Sequence, residues 1–227
     1  MALAPAAACL AVAAARAFAL VAERAFSSGP ASGLSIGGWF LLGFAGYGLL
    51  YLADLARLRP AYVFAHELTH ALAAWMLGGK VHGIKVGLES GHVDLSHSNP
   101  FIALAPYWLP LYALAAVLLY RAALWAGTPL AREAFLLAMG ASLSFHFFHT
   151  AESLWAARQG DLEDTGAVLG IVLILLLNGV LLLAVLKCLF PRTVPFAQSV
   201  KLAAVWTGAF WGGAWEMVRH GLKAVGA

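Results

Sequence analysis

Long apolar runs, separated by short clusters of Gly, Pro and charged residues, set the pattern of the chain. Seven runs are long enough to be helices that cross or enter a bilayer, at about 2–22, 37–57, 60–78, 101–125, 132–157, 166–190 and 200–218. The first is Ala-rich and carries Arg16 inside it. A cleaved signal peptide is the alternative there, but no basic segment precedes its apolar core. The last is rich in Trp and Gly, with Trp206, Trp211 and Trp215, which suits a span or an interfacial helix.

One stretch breaks this pattern. From Lys80 to Asn99 the residues are more polar, and Val81–Leu88 is β-branched and partly alternating, which favours a strand. Glu89-Ser90-Gly91 reads as a turn and His92–Leu95 as a return strand. Before this hairpin, Pro60 suits the first turn of the third helix and Gly78-Gly79 its end. After it, Asn99-Pro100 opens the fourth helix, in which Pro106 and Pro110 predict a bend.

Composition agrees with the helical pattern. Of 227 residues, 62% are hydrophobic and 11% charged, with mean hydropathy +0.83. A soluble domain has about 45–50% apolar and about 25% charged residues, so this chain has too little polar surface for one. Disorder and a disulfide scaffold are excluded on the same grounds. The expected fold is an all-α polytopic membrane protein with six to seven transmembrane helices and a short β-hairpin. It would form one membrane domain over 1–227: N-terminal helices to 59, a core at 60–190 with the hairpin at 80–98, and a C-terminal helix from 191. The expected location is multi-pass in a membrane, a bacterial cell membrane being the first choice.

Charge adds little. The net charge is +3 without a basic run, so no nucleic-acid partner is implied. If all seven runs span, Lys and Arg divide almost evenly between the two sides and leave orientation open. Cys9 and Cys188 lie far apart in apolar runs and say nothing about redox compartment.

The few polar groups inside the apolar runs carry the chemistry. His66-Glu67-Leu68-Thr69-His70 has the pattern H-E-x-x-H. On a helix, residues four apart share a face, so both imidazoles can bind one metal ion. Glu67 beside them can act as a general base on a water acidified by the metal. Chance would produce the pattern in roughly one such sequence in a hundred. Three polar groups in one turn are also costly at membrane depth unless they have a function, and their use as helix-packing groups is the alternative.

The run His66-Glu67-Leu68-Thr69-His70-Ala71-Leu72-Ala73-Ala74, followed by Leu77-Gly78-Gly79-Lys80-Val81 and the hairpin, resembles the site-2 protease family of intramembrane zinc metalloproteases. The likeness covers about residues 62–96 and fades in the later helices. It implies one Zn2+ held by His66, His70 and a third ligand, with Glu67 catalytic. It also implies peptide hydrolysis within or near transmembrane segments of membrane-protein substrates.

The hairpin could hold an unwound substrate by strand addition, with Val86, Leu88 and Val93 as contact residues, or it could be a plain connection. The family usually supplies an Asp from an Asp-Gly motif as the third ligand, and no Asp-Gly occurs here. His149 and His146, three residues apart in the fifth run, are one choice. Asp161 (or Asp164) is the other, and Glu152 a further one.

Depth along straight helices favours the His pair. His66 and His70 lie about 9 and 15 Å beyond Pro60. His146 and His149 lie about 21 and 26 Å beyond Arg132, whereas Asp161 lies about 44 Å beyond it, outside a core about 30 Å thick. His149 is therefore the expected third ligand, and a break after the fifth run would restore Asp161. Ser142, His146, His149 and Ser153 share one helical face and form a polar stripe. Asn178 reads as helix–helix glue and His82, His92 and His97 as interfacial groups. The competing functions are a di-iron His-box oxygenase or desaturase, a non-catalytic pseudoprotease and a haem-binding membrane subunit.

Overall fold

The computed structural model describes residues 3–27, 34–128, 132–155 and 160–225. Most of the Ser/Gly/Pro segment at 27–37 and the Asp164 side chain lie outside the described residues. The elements in chain order are α1 (Ala4–Ser27), α2 (Ile36–Leu52), α3 (Arg59–Met76), β1 (Val81–Val86), β2 (Gly91–Leu95), α4 (Pro100–Trp108), α5 (Leu111–Trp125), α6 (Arg132–Trp155), α7 (Gly160–Thr165), α8 (Ala167–Leu189) and α9 (Phe196–Val225).

Two compact units emerge. One joins Met1–Glu23 to Val172–Ala227, and the other is Arg24–Ile171. In the first, Ala7, Leu10, Ala14, Ala17 and Val21 recur at helical spacing and form the buried face of α1. Gly179 of α8 gives room to Leu10. The Arg16 guanidinium lies 5.8 Å from the Trp206 ring centroid, a cation–π arrangement that accounts for a charge inside an Ala-rich run.

The second unit contains the H-E-x-x-H helix and the hairpin. In it α2 and α6 pack closely. Gly43 and Gly140 make this possible, because a β-carbon at either would collide with the backbone of the other helix, at the Leu137 and Phe40 carbonyls. Helix α3 begins with Pro60 in its first turn and has no side-chain cap. It ends as its glycines predict. Gly78 takes the left-handed conformation (φ 77°) and the Gly79 N–H returns to the Ala74 carbonyl at 2.8 Å. The chain then enters the hairpin, paired antiparallel with Ile84 opposite Val93 and Val86 opposite Gly91, and an irregularity after Val81. Gly91, Val93 and Leu95 are the more covered residues of β2. Leu95 packs on Ala73, Ala74, Ile102 and Ala105, which ties the hairpin to α3 and α4.

The expected fourth helix is two. Asn99 caps α4 by accepting the Ile102 N–H at 3.0 Å, and the chain turns by 70° at Leu109-Pro110 before α5. Proline at 110 disfavours helix for the residue before it.

The span count is lower than the apolar runs suggest. Among the described residues, three helices (Ala4–Phe26, Arg132–Trp155, Ala167–Leu189) are long and apolar enough to cross a membrane, or four if α4 and α5 form one bent span. Helix α2 has 17 residues and is shorter than these. Helices α3 and α9 are amphipathic: polar groups at Arg59, His66, Glu67 and His70, and at Lys201, Glu216 and Arg219, dilute their hydropathy. These features are compatible with a membrane protein.

Candidate metal centre

The site starts on α3, where helical spacing brings His66 and His70 together with ring centroids 4.9 Å apart and rings nearly perpendicular. Thr69, between them in sequence, is satisfied by the Ala65 carbonyl at 2.6 Å. His70 Nδ1 lies 2.9 Å from the Ile102 carbonyl of α4. A carbonyl only accepts, so Nδ1 carries the proton and His70 Nε2 is left to act as a ligand. That Nε2 is 3.5 Å from Asp161 Oδ2, and His66 Nε2 is 3.3 Å from the same oxygen. Tyr107 of α4 donates to Asp161 Oδ2 at 3.0 Å. Asp161 comes from α7, which packs on α4.

One donor atom from each of His66, His70 and Asp161 lies within 4.8 Å of the others, and this group could hold a metal ion. A tetrahedral ion with bonds of about 2.0–2.1 Å requires donors roughly 3.4 Å apart, close to the 3.3 and 3.5 Å seen here. The fit is also electrostatic. Burial alone pushes the Asp161 carboxyl up, but hydrogen bonds from His66 and His70, with their charge, outweigh it and hold the carboxyl well below its usual range. A lone pair on His70 Nε2 facing an ionised carboxylate needs a cation between them, either a proton or a metal.

Comparison with family models, curated proteins and solved structures finds no match to this chain.

Glu67 sits beside this group and is buried, with 8% of its surface exposed. The backbone of Gly91, at the start of β2, lies directly against it. Two open cavities meet there, and both touch His66, Glu67 and Gly91. One, of about 460 Å³, runs along β2 past His92, Val93 and Asp94 and includes His70 and Asp161. The other, of about 430 Å³, reaches Arg59, His149 and Glu152. The described arrangement is thus three residues that could hold a metal ion, with the Glu67 carboxyl group beside them and open space on two sides.

His149 is not in the group. Tyr47 donates to the Ala56 carbonyl at 3.0 Å, which leaves its oxygen to accept from His149 Nε2–H at 3.1 Å. That nitrogen therefore offers no lone pair to a metal. His149 Nδ1 faces Glu152 at 3.5 Å, and Glu152 in turn accepts from Tyr51 at 2.6 Å and Arg59 at 3.2 Å. The Tyr62 ring stacks on His149 with centroids 4.9 Å apart. His146 is buried and borders a small void, about 20 Å³, shared with His66, Thr69 and Ser142. The polar stripe on α6 thus borders the cavities around His66 and supplies no member of the group. The difference from the depth argument lies in packing: depth along a straight helix places Asp161 too far away, whereas α7 packs against α4, the helix that also carries Ile102 and Tyr107.

Of the expected substrate contacts, Val93 lines the cavity beside the ligands. Val86 and Leu88 are exposed, Leu88 at 76%, and border neither main cavity. Sequence reasoning missed Tyr107, the Ile102 carbonyl and Gly91. Only Gly91 left a local trace, as a glycine closing a turn.

Proposed function

We propose that this chain is a membrane-embedded zinc metallopeptidase that hydrolyses peptide bonds within or beside transmembrane segments. The observation that carries the reading is the convergence of His66, His70 and Asp161, with one donor atom of each within 4.8 Å of the others, and Glu67 on the same helical turn as His66 and His70. Two histidines and a carboxylate are a donor set of catalytic zinc sites, which keep a fourth position open. Zinc held there supplies Lewis-acid polarisation and acidifies a water to near-neutral pKa. Glu67 takes a proton on its carboxylate from the attacking water and returns it to the leaving amine nitrogen. The cavity along Gly91–Leu95 takes the peptide on one side of Glu67, and the cavity toward Arg59 and Glu152 takes it on the other.

The membrane setting rests on the three long apolar helices, and the resemblance to the site-2 protease family over residues 62–96 supports the same activity. Among the described residues this is the one group of three ligands. A di-iron oxygenase would need more.

The deciding experiment purifies the wild type and Glu67→Gln, measures zinc and iron, and follows cleavage of reporter proteins that carry a transmembrane segment. One zinc per chain in both, with cleavage at least 100-fold lower in the variant, is the expected result. Undiminished cleavage by Glu67→Gln, or two irons per chain, rejects the reading.

A further inference from the structure

Helix α4 reaches all three ligands from outside the H-E-x-x-H helix. Its Ile102 carbonyl takes the His70 Nδ1 proton at 2.9 Å. One turn and a residue later, its Tyr107 hydroxyl donates to Asp161 Oδ2 at 3.0 Å. Residues Ile102 to Tyr107 are buried without interruption, and Tyr107 itself has no exposed surface. The Tyr107 ring also stands edge-on to His66, with centroids 5.2 Å apart and planes at 88°. Tyr107 therefore touches one ligand through its hydroxyl and a second through its ring.

Asp161 has the weakest local claim to its place. Its side chain is 28% exposed against 12% for His66 and 8% for His70. A carboxylate exposed to that degree has several rotamers open to it. Fixing one of them takes a donor on a rigid partner, and a buried phenol is well suited. Its ring is locked by packing, and its O–H donates to Asp161 while the Ser153 hydroxyl lies on its other side.

We propose that Tyr107 is a positioning residue of the metal site, holding Asp161 Oδ2 in the ligand geometry and so setting metal affinity. The inference rests on the metal reading of His66, His70 and Asp161 and is independent of the peptidase reading. It adds to the ligand set an outer partner that no local motif reveals. Outer partners of this kind are worth about 10–100-fold in metal affinity.

The test titrates the detergent-solubilised full chain with Zn2+ against a chromophoric chelator, without any cleavage assay. Tyr107→Phe removes only the hydroxyl and keeps the ring, and it is expected to weaken Zn2+ binding about 10–100-fold. Tyr107→His, whose ring N–H can donate, is expected to recover part of that loss. In an Asp161→Ala background, where the residual affinity comes from His66 and His70, Tyr107→Phe is expected to change affinity less than twofold. Tyr107→Leu is the second hydroxyl-free variant should the phenylalanine protein fail to fold.

Wild-type affinity in a folded hydroxyl-free variant overturns the inference. So does an equal loss in the presence and absence of the Asp161 carboxylate, since that would be a general packing effect. Failure of the wild type to bind Zn2+ at all would instead remove the metal reading beneath it, a distinguishable outcome.

Discussion

Gly91 lies so close to Glu67 that a β-carbon built on it would come within 2.5 Å of Glu67 Cγ and 2.9 Å of Oε1. The same β-carbon would meet Val63 Cγ1 at 2.9 Å. The hairpin can press on the acid/base side chain only because this residue has no side chain. Gly91→Ala must therefore move Glu67 or lift the start of β2. The three atoms nearest such a β-carbon belong to Glu67 and Val63 and not to His66, His70 or Asp161, so zinc content is expected to stay at one per chain. Cleavage is expected to fall at least tenfold, because small displacements of a catalytic group are costly. Zinc analysis and a cleavage assay on one preparation check both halves.

The ligand assignment separates Asp161 from His149. Asp161→Ala takes one of three donors from the group and is expected to lose most bound zinc at sub-stoichiometric chelator. His149→Ala removes no ligand and is expected to keep it. The cost of the second change falls on stability. The Tyr47–His149–Glu152 chain of contacts loses its middle member, and each hydrogen bond lost from the folded protein costs about 0.5–1.5 kcal/mol. A His149→Ala protein that melts normally and lacks zinc would reverse the assignment.

These two residues also show how far the sequence could be read. The H-E-x-x-H pair, the ends of α3 and the hairpin were legible because each rests on local rules: helical spacing, proline at a start, glycine at a stop, alternation in a strand. The bend near Pro110 was legible for the same reason. The place of Asp161 beside the two histidines was not. It depends on α7 packing against α4, a tertiary event that composition does not announce. Distance along an unbroken helix then favoured His149. The excess of expected spans has a related origin, since α3 and α9 are apolar enough to pass as spans by inspection while their polar faces mark them as amphipathic. Tyr107 was invisible for a different reason: one tyrosine in an apolar run is ordinary, and its importance lies in a partner 54 residues away.

The pH dependence of metal binding follows from which ligand holds the competing proton. The Asp161 carboxyl is held well below the usual range by its histidine partners, so it is already ionised at the pH where a free imidazole titrates, about 6.5. Burial pushes the His70 imidazole down, but the hydrogen bond to Asp161 and its charge push it up by more, so protons compete with zinc for His70 from above the ordinary imidazole range. Zinc affinity is expected to fall as the pH drops through that range. No separate carboxyl step is expected above about pH 4. Titrations at a series of pH values check this, and a step between pH 4 and 5 that disappears in Asp161→Ala would contradict it.

The contact of α2 with α6 gives a prediction about the fold that carries the site. Gly43 and Gly140 face backbone across the helix pair, and a β-carbon at either would strike a carbonyl oxygen that has no rotamer by which to yield. Gly43→Ala and Gly140→Ala must each push the helices apart, in contrast to an exposed helical glycine, where alanine raises helix propensity by about 1 kcal/mol. Gly46, on the same helix, has open space around its would-be β-carbon and supplies that comparison. Overpacking of this kind costs about 1–3 kcal/mol, so thermal melts in detergent are expected to show lower transition temperatures for the variants at 43 and 140 and an unchanged or higher one for Gly46→Ala. Because α6 also carries His149 and Glu152 toward one cavity beside Glu67, separation of the helices is expected to reduce cleavage in step with stability. Equal melting temperatures for all three variants would mean that α2 and α6 do not meet at these glycines.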